Sequence, residues 1–159
     1  MKFSAYKFLE NVEAFRAEPY LDSAGYWTVG IGHKMTHSEV TSGKILIRGM
    51  SCRPPLTRDQ AIALKDQDME PVENVINGLG VELTQNQFDA LCSLAFNIGI
   101  GAFLASTLVR KLRAGAEPAE IAKEMKRWNK ARNPRTGILE VSKGLVNRRK
   151  ADAELYLSA

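Results

Sequence analysis

The chain has 159 residues, of which 45% are hydrophobic and 25% charged, and its formal net charge is +4 at pH 7. This balance is typical of a soluble globular protein that has a core of its own. No apolar run approaches the ~20 residues that a membrane-spanning helix needs. The N-terminal residues MKFSAYKFLENVEAF also lack the apolar segment and the cleavage site of an export signal.

The first predicted elements are a helix and a small β region. In residues 4–15 apolar side chains recur at three- and four-residue spacing, Ser4 is placed to cap the helix, and Pro19 ends any helix before it. PYLDSAG is typical of a short strand and a turn, and from Tyr26 the side chains alternate with a period of two. KILI at 44–47 predicts one more strand.

The remainder of the chain is predicted to be helical. Thr57 and Thr84, each followed by a glutamine three residues later, match the capping-box pattern. Pro71 should kink or break its helix, because proline lacks a backbone donor and clashes one turn back. Residues 130–142 are predicted to be a long polar connection. The helices are expected at about residues 58–78, 85–97, 103–114, 117–129 and 143–157.

Charge and cysteine content constrain the partners. The positive charge concentrates in KEMKRWNKARNPR and NRRK, which favours an anionic partner, although a solvated helix face explains most such runs. Cys52 and Cys92 lack metal-ligand spacing, and the two histidines complete no zinc site. We therefore expect free thiols in a reducing compartment, with a Cys52–Cys92 disulfide as the less favoured alternative, and neither a metal nor a cofactor.

Two carboxylates near the first strands are candidates for catalysis. Glu13 lies near the helix end at the margin of the apolar stripe, where partial desolvation would raise its pKa and keep it protonated, as a general acid requires. Asp22 lies on a turn, where it should be wetter and ionised. Thr28 shares a strand face with Gly30 and Gly32, which would leave a bare surface for a ligand. Such a pair of acids can cleave a glycosidic bond. The alternative is that these carboxylates are only helix caps or surface charges without a catalytic role.

Longer motifs point to a family. Eight residues separate Glu13 from Asp22 and five separate Asp22 from Thr28, with Tyr20 two residues before the aspartate and GYWTVGIGH around the threonine. The segments QFDALCSLAFNIGIGAF, STLVRKL, KRWN and GLVNRR extend the match over nearly the whole chain. The pattern resembles the phage-type lysozymes, glycoside hydrolase family 24, which include the endolysins of T-even and lambdoid phages.

The resemblance implies an α+β, lysozyme-like fold in a single domain, residues 1–159. A small N-terminal β lobe would cover about residues 16–56. A larger helical lobe would cover about residues 57–159 together with the N-terminal helix 4–15, and the active-site cleft would lie between the two lobes. The implied activity is hydrolysis of the β-1,4 bond between N-acetylmuramic acid and N-acetylglucosamine in bacterial peptidoglycan.

The resemblance also implies catalytic roles. Glu13 would protonate the leaving oxygen, Asp22 would orient or activate a water, and Thr28 would help to hold that water. A carboxyl separation of about 6.5–9.5 Å indicates inversion and about 5–5.5 Å indicates retention. The family is similar to the inverting case, so we predict the wider separation. Ala14 departs from the glycine that usually follows the catalytic glutamate.

Six further positions are implied by the resemblance. His33 would form an ion pair with Asp68 that raises the pKa of the histidine and stabilises the fold. Arg148 would pair with Glu13 and orient it, although a nearby cation also pulls the pKa of an acid down. The implied saccharide-binding positions are Phe96, Asn97 and Trp128. For Phe96, a role in core packing is an equally good explanation.

The implied biological role is host-cell lysis by an endolysin. The enzyme would be a monomer that waits in the host cytoplasm for a holin and then reaches the periplasm and the cell wall. Nucleic acid is not an expected partner, since KRWNK alone is a weak signal. A lytic transglycosylase and a non-catalytic wall-binding module are the alternatives, and the presence of Glu13, Asp22 and Thr28 together argues against both. Hydrolysis of chitin also remains open.

Overall fold

The structure, a computed structural model, describes residues 1–158. Within this range it describes every side chain except those of Lys7, Glu10 and Val12. The chain divides into two compact units: the first is Tyr6–Glu70, and the second joins Met1–Ala5 to Pro71–Ala159. The organisation as a single domain stays a prediction. Among the described residues, no helix is both long and apolar enough to cross a bilayer.

The first unit contains two small antiparallel sheets. Its elements are α1 (Tyr6–Val12), β1 (Phe15–Leu21), β2 (Trp27–Ile31), β3 (His33–Lys34), α2 (His37–Ser42), β4 (Ile45–Ile47) and β5 (Met50–Cys52). The strand order is β1-β2-β3 in one sheet and β4-β5 in the other. The strand predicted at 44–47 is confirmed, whereas its partner β5 and the helix α2 were missed.

The N-terminal helix is shorter than its apolar periodicity predicted. The chain leaves the helix after Val12, and Phe15 already pairs with Ile31 of β2, so the prediction of helix up to residue 15 was wrong. Ser4 lies before Tyr6, the first residue of the helix, and its hydroxyl donates to Asp89 at 2.7 Å; its role as a helix cap stays a prediction. Strand pairing, which a helical period cannot reveal, therefore determines where the helix ends.

β1 contains a proline and an irregularity. The register between β1 and β2 shifts between Arg16 and Tyr20, and Pro19 lies inside that interval. A proline is tolerated there because, at an irregular position, the pairing of the strands does not require a backbone N–H donor. Past the irregularity, Tyr20 pairs directly with Thr28, which places the threonine within the regular part of the sheet.

The core of the first unit joins its strands to the next helix, α3 (Arg58–Asn77). Apolar side chains on β2, β4 and α3 are withdrawn from water, and this burial is the main stabilising contribution. The core residues are Val29, Ile45, Ile47, Leu56 and Leu64.

Helix α3 continues through its proline. Pro71 lies inside the 20-residue helix, so of the two predicted effects the break is wrong and the kink stays a prediction. Met69 and Val72, on either side of it, are buried. We attribute the continuity to this apolar burial, which offsets the one missing backbone hydrogen bond.

The second unit is mainly helical. Its further elements are α4 (Gln85–Ile98), α5 (Ile100–Leu104), α6 (Thr107–Arg113), α7 (Pro118–Lys126), β6 (Lys130–Arg132), β7 (Leu139–Val141) and α8 (Lys143–Leu157). Both α4 and α7 pack against α8. Cys92 is buried on α4, and both it and Cys52 of the first unit are free thiols, as predicted.

Capping residues account for several helix boundaries. The backbone N–H groups of Gln60 and Gln87 donate to the side chains of Thr57 and Thr84, each at 3.1 Å, which confirms both capping boxes. The single helix predicted over 103–114 is divided into α5 and α6. Ser106 begins α6 by accepting from the N–H of Val109 at 3.3 Å, and it thereby interrupts the predicted helix.

The connection predicted over 130–142 is in fact a β-hairpin formed by β6 and β7. The N–H of Gly137 donates to the carbonyl of Asn133 at 2.8 Å, and Gly137 has a positive φ of 71°. Glycine adopts this left-handed conformation without steric cost, so NPRTG forms the turn. Three-residue strands carry too little periodicity to be predicted.

Candidate active site

Glu13 lies at the junction between α1 and β1. Its backbone N–H donates to the carbonyl of Leu9 at 2.6 Å, so the residue closes the last turn of the helix. Its side chain is only 12% exposed, which agrees with the predicted partial desolvation. The helix therefore sets the position of the backbone, and the side chain points into the first unit.

The carboxyl group of Glu13 lies against the backbone of Gly32. A Cβ atom built on Gly32 would overlap Oε2 of Glu13 and would lie 2.5 Å from its Cδ. A Cβ on Gly30 would meet Ala61 at an ordinary 3.5 Å and the Leu56 side chain at 3.8 Å. The expectation that these glycines leave a bare face for a ligand was therefore wrong. The carboxyl group of Glu13 fills the space beside Gly32, and the space beside Gly30 adjoins helix α3.

A lysine contacts the same carboxyl group. Lys65 on α3 donates from Nζ to Oε2 of Glu13 at 3.1 Å, and its side chain is 0% exposed. Sequence analysis did not identify this residue. An ammonium group at this distance favours the charged form of a carboxyl group, whereas burial of the carboxyl group opposes it.

Asp22 forms the turn between β1 and β2. Its Oδ1 accepts from the backbone N–H groups of Ala24 at 2.9 Å and of Tyr26 at 2.8 Å. The turn thereby fixes the direction of the carboxylate. Because both of these bonds end on Oδ1, Oδ2 is the atom better placed to accept a hydrogen bond from a water.

Thr28 lies one pair further along β2. It is 3% exposed, and its hydroxyl donates to the carbonyl of Tyr26 at 3.0 Å. With its proton so used, the hydroxyl oxygen can accept a hydrogen bond. The structure thus places all three residues in the first unit: Glu13 just after α1, Asp22 in the turn between β1 and β2, and Thr28 on β2. The separation of the two carboxyl groups stays a prediction.

His33 has two acidic partners. Its Nδ1 lies 2.7 Å from Oδ2 of Asp68, as predicted, and its Nε2 lies 3.0 Å from Oε1 of Glu39. Burial of the ring lowers the pKa of His33, but hydrogen bonds to Asp68 and Glu39 outweigh burial and raise it above 6.5. Glu39 was missed, although it also forms the capping box of α2 with Thr36.

Two of the implied saccharide-binding residues meet in the second unit. Asn97 and Trp128 line one pocket of about 440 Å³, to which the hairpin contributes Lys130 and Leu139. Phe96 is half-buried on α4. An aromatic ring, an amide and a cation are groups that can bind an acetylated, acidic sugar polymer, but the roles of these residues in binding stay predictions.

A buried charge network lies behind this pocket. Arg149 on α8 donates to Oδ1 of Asn97 at 2.8 Å, and its Nε lies 3.1 Å from Oδ2 of Asp152. Ser93 donates to Oδ1 of Asp152 at 2.7 Å. Arg149 therefore fixes the amide of Asn97. The neighbouring Arg148 is half-buried on α8, and its pairing with Glu13 stays a prediction.

Comparison with known proteins determines the family. The model of the phage lysozyme family matches residues 10–152. The chain belongs to the phage lysozyme family. The endolysin of Acyrthosiphon pisum secondary endosymbiont phage 1 is 38% identical over 154 residues, which cover 95% of this chain and 93% of that endolysin.

Solved structures of phage lysozymes are also similar. The endolysin of the Escherichia coli phage FAHEc1 aligns with a TM-score of 0.80 and 33% identity, over 99% of this chain and 94% of that one. A mutant of P22 lysozyme aligns with a TM-score of 0.74 and 34% identity, over 99% of each chain. These likenesses confirm the predicted α+β, lysozyme-like fold. Membership of the phage lysozyme family also makes the protein a glycoside hydrolase, a muramidase that lyses peptidoglycan, as predicted.

Gly32→Ala should displace the acid of this phage lysozyme. The new methyl group would occupy the place of the Glu13 carboxyl group, and misplacement by about 1 Å is worth up to ~100-fold in rate. We expect peptidoglycan hydrolysis to fall by about 10- to 100-fold in initial-rate assays. Gly30→Ala is the matched control, because its φ of 68° is close to the 72° of Gly32 but its Cβ would not reach Glu13. Equal losses of activity in both variants would contradict this prediction.

The contacts of His33 should make stability depend on pH. The pKa of His33 is raised in the folded state. Its contribution to the free energy of unfolding is therefore complete below the unfolded-state pKa of about 6.5, and it is lost as the pH rises through the folded-state pKa. In urea unfolding, we expect the difference between the wild type and His33→Asn to shrink from pH 6 to pH 9. His37→Asn, at an exposed position on α2, is the control and should show no such trend.

Proposed function

We propose that Glu13, Asp22 and Thr28 cleave the β-1,4 bond between N-acetylmuramic acid and N-acetylglucosamine with inversion of configuration. Glu13 donates its proton to the glycosidic oxygen as the bond from that oxygen to the anomeric carbon breaks. Asp22 accepts a proton from a water that attacks the opposite face of the sugar. The products are one new hydroxyl group and one free reducing end, so the overall reaction consumes one water.

The arrangement of Glu13 carries this proposal. The Glu13 side chain is 12% exposed and its carboxyl group is held between Gly32 and Lys65, so the acid has a defined direction from which to protonate a leaving group. Asp22 uses Oδ1 in its turn, which leaves Oδ2 as the oxygen to bind the water. Thr28 would accept a hydrogen bond from the same water. Two carboxyl groups in unlike surroundings are what acid and base roles require.

Phe96, Asn97 and Trp128 of the second unit are the proposed saccharide-binding residues. The pocket lined by Asn97 and Trp128 offers an aromatic face and an amide, and Lys130 adds a positive charge. The N-acetyl groups and the stem-peptide carboxylates of peptidoglycan match these groups in chemistry. A net charge of +4 suits an enzyme that works in an anionic bacterial envelope.

The proposed setting is phage release. We propose a monomer that accumulates in the host cytoplasm until a holin opens the membrane, and that then acts on the cell wall from the periplasm. The support for this is membership of the phage lysozyme family and its endolysin relatives. Gel filtration of the purified protein tests the monomer, and lysis of cells that express it with and without a holin tests the route.

Product analysis tests the chemistry. Purified peptidoglycan is digested with the wild-type protein, the fragments are identified by mass spectrometry, and the first-formed anomer is followed by proton NMR. We expect free reducing muramic acid ends that appear first as the α-anomer. Anhydro ends would identify a lytic transglycosylase, which needs no water and leaves Asp22 without its role. Absence of fragments would identify a wall-binding module.

A further inference from the structure

Helix α3 contacts the catalytic segment at two neighbouring points. Lys65 and Asp68 are three residues apart, so they project from the same side of the helix. Asp68 pairs with His33 at 2.7 Å, and Lys65 donates to Glu13 at 3.1 Å. Gly32, which supports the carboxyl group of Glu13, directly precedes His33 in the chain. The same helix face therefore holds both the acid and the backbone against which the acid rests.

The burial of Lys65 calls for a reason. Its side chain is 0% exposed, and withdrawal of an ammonium group from water is unfavourable unless a counter-charge and hydrogen bonds accompany it. An apolar side chain of similar length would fill the same space without this cost. The charge is directed at one oxygen of Glu13, which indicates a use at that carboxyl group rather than in packing.

We propose that Lys65 is a positioning residue for the general acid, and that its ammonium group holds the Glu13 carboxyl group against the backbone of Gly32. The contact limits rotation of the carboxyl group, because Oε2 is bound on one side and the glycine backbone blocks the other. The inference rests on the function proposed above, in which Glu13 protonates the leaving oxygen. Lys65 then acts through Glu13 and does not itself touch the substrate.

The charges around Glu13 give this role a pH signature. Lys65 faces it from α3, and Tyr20 faces it from β1; burial and then the negative charge of Glu13 raise the pKa of that tyrosine. Arg148 on α8 is the further cation that the family resemblance implies. A cation beside the acid favours loss of its proton, so Lys65 should lower the pH at which activity declines on the alkaline side.

Lys65→Met tests the proposal, because methionine keeps a long unbranched side chain and removes the charge. We expect kcat on purified peptidoglycan to fall by about 10- to 100-fold with KM nearly unchanged, as for a misplaced acid. We also expect the alkaline limb of the pH–rate profile to move up by about one pH unit. Lys111→Met is the matched control: Lys111 pairs with Glu120 and Glu124 in the second unit, and its loss should leave the limb unmoved.

A titration without substrate separates this proposal from the proposed function. Carbon-13 NMR follows the labelled glutamate carboxyl groups, and the signal that Glu13→Gln lacks belongs to Glu13. In Lys65→Met its midpoint should rise by about one pH unit. If the wild type releases no sugar fragments, the proposed function fails, while the titration still shows whether Lys65 controls the acid.

Several outcomes would overturn the proposal. A fall in activity of Lys65→Met with an unmoved alkaline limb and an unmoved carboxyl titration would make Lys65 a structural residue only. The same shift in Lys111→Met would indicate a general effect of net charge. Lys65→Gln keeps a hydrogen-bond donor and is the second variant in case Lys65→Met folds poorly. A folded Lys65→Gln with the wild-type pH profile would also refute the inference.

Discussion

Replacement of Glu13 by glutamine should reduce the rate of peptidoglycan hydrolysis by about 10²–10⁴-fold, the usual contribution of a general acid. Glutamine has nearly the shape of glutamic acid, so it fits the space between Gly32 and Lys65. Its amide group has no acidic proton to give to the leaving oxygen. The measurement is the initial rate at which reducing ends are released from purified peptidoglycan.

The control for this prediction is a second acid in the same region. Glu18→Gln removes an exposed carboxylate from β1, at a position that the proposed mechanism does not use. It should keep a rate near that of the wild type. Circular dichroism and urea unfolding of each variant confirm that the folded fractions are equal. If Glu13→Gln kept most of its activity, another group would have to supply the proton.

Asp152→Asn should produce the largest loss of stability among the variants considered, about 3–5 kcal/mol in the free energy of unfolding. Both Arg149 and Asp152 have fully buried side chains, and their nearest charged atoms are 3.1 Å apart. The substitution keeps the shape but removes the negative charge of Asp152, so the buried guanidinium of Arg149 loses this counter-charge. Ser93 would also lose a carboxylate acceptor that it contacts at 2.7 Å.

Urea unfolding at pH 7 measures this effect. Glu154→Gln changes an exposed acid two residues further along the same helix, and it should alter the free energy of unfolding by no more than about 0.5 kcal/mol. Equal effects in the two variants would show that the Arg149–Asp152 pair contributes nothing. Since Arg149 also donates to Asn97, we expect Asp152→Asn to weaken saccharide binding even at temperatures where it is folded.

Local patterns in the chain were sufficient for many of the predictions. Both capping boxes formed as their Thr-x-x-Gln spacing predicts, because the reciprocal bonds join residues only three positions apart. α4 and α8 were also predicted close to their observed bounds. The family motif led to the contact between His33 and Asp68 as well.

Short elements and boundaries were predicted less well. α1 ends at Val12 because Phe15 pairs with a strand, and the hairpin of β6 and β7 was interpreted as a polar connection. Three-residue strands carry almost no periodicity, so their existence depends on a partner rather than on their own residues. Pro71 shows the reverse case, in which a local signal for a kink or a break did not end the helix, because its neighbours are buried.

The sequence was sufficient to identify Glu13, Asp22 and Thr28 as candidates, because these residue types lie close together in one short segment with a recognisable spacing. It could not indicate what holds the acid. Lys65 lies 52 positions from Glu13, and in the sequence it reads as one more polar residue of a long helix. The sequence predicted an open surface at Gly32, whereas in the structure the carboxyl group of Glu13 occupies that space. Contacts between remote residues arise from how helices and strands pack, and a single sequence does not encode that arrangement in any local pattern.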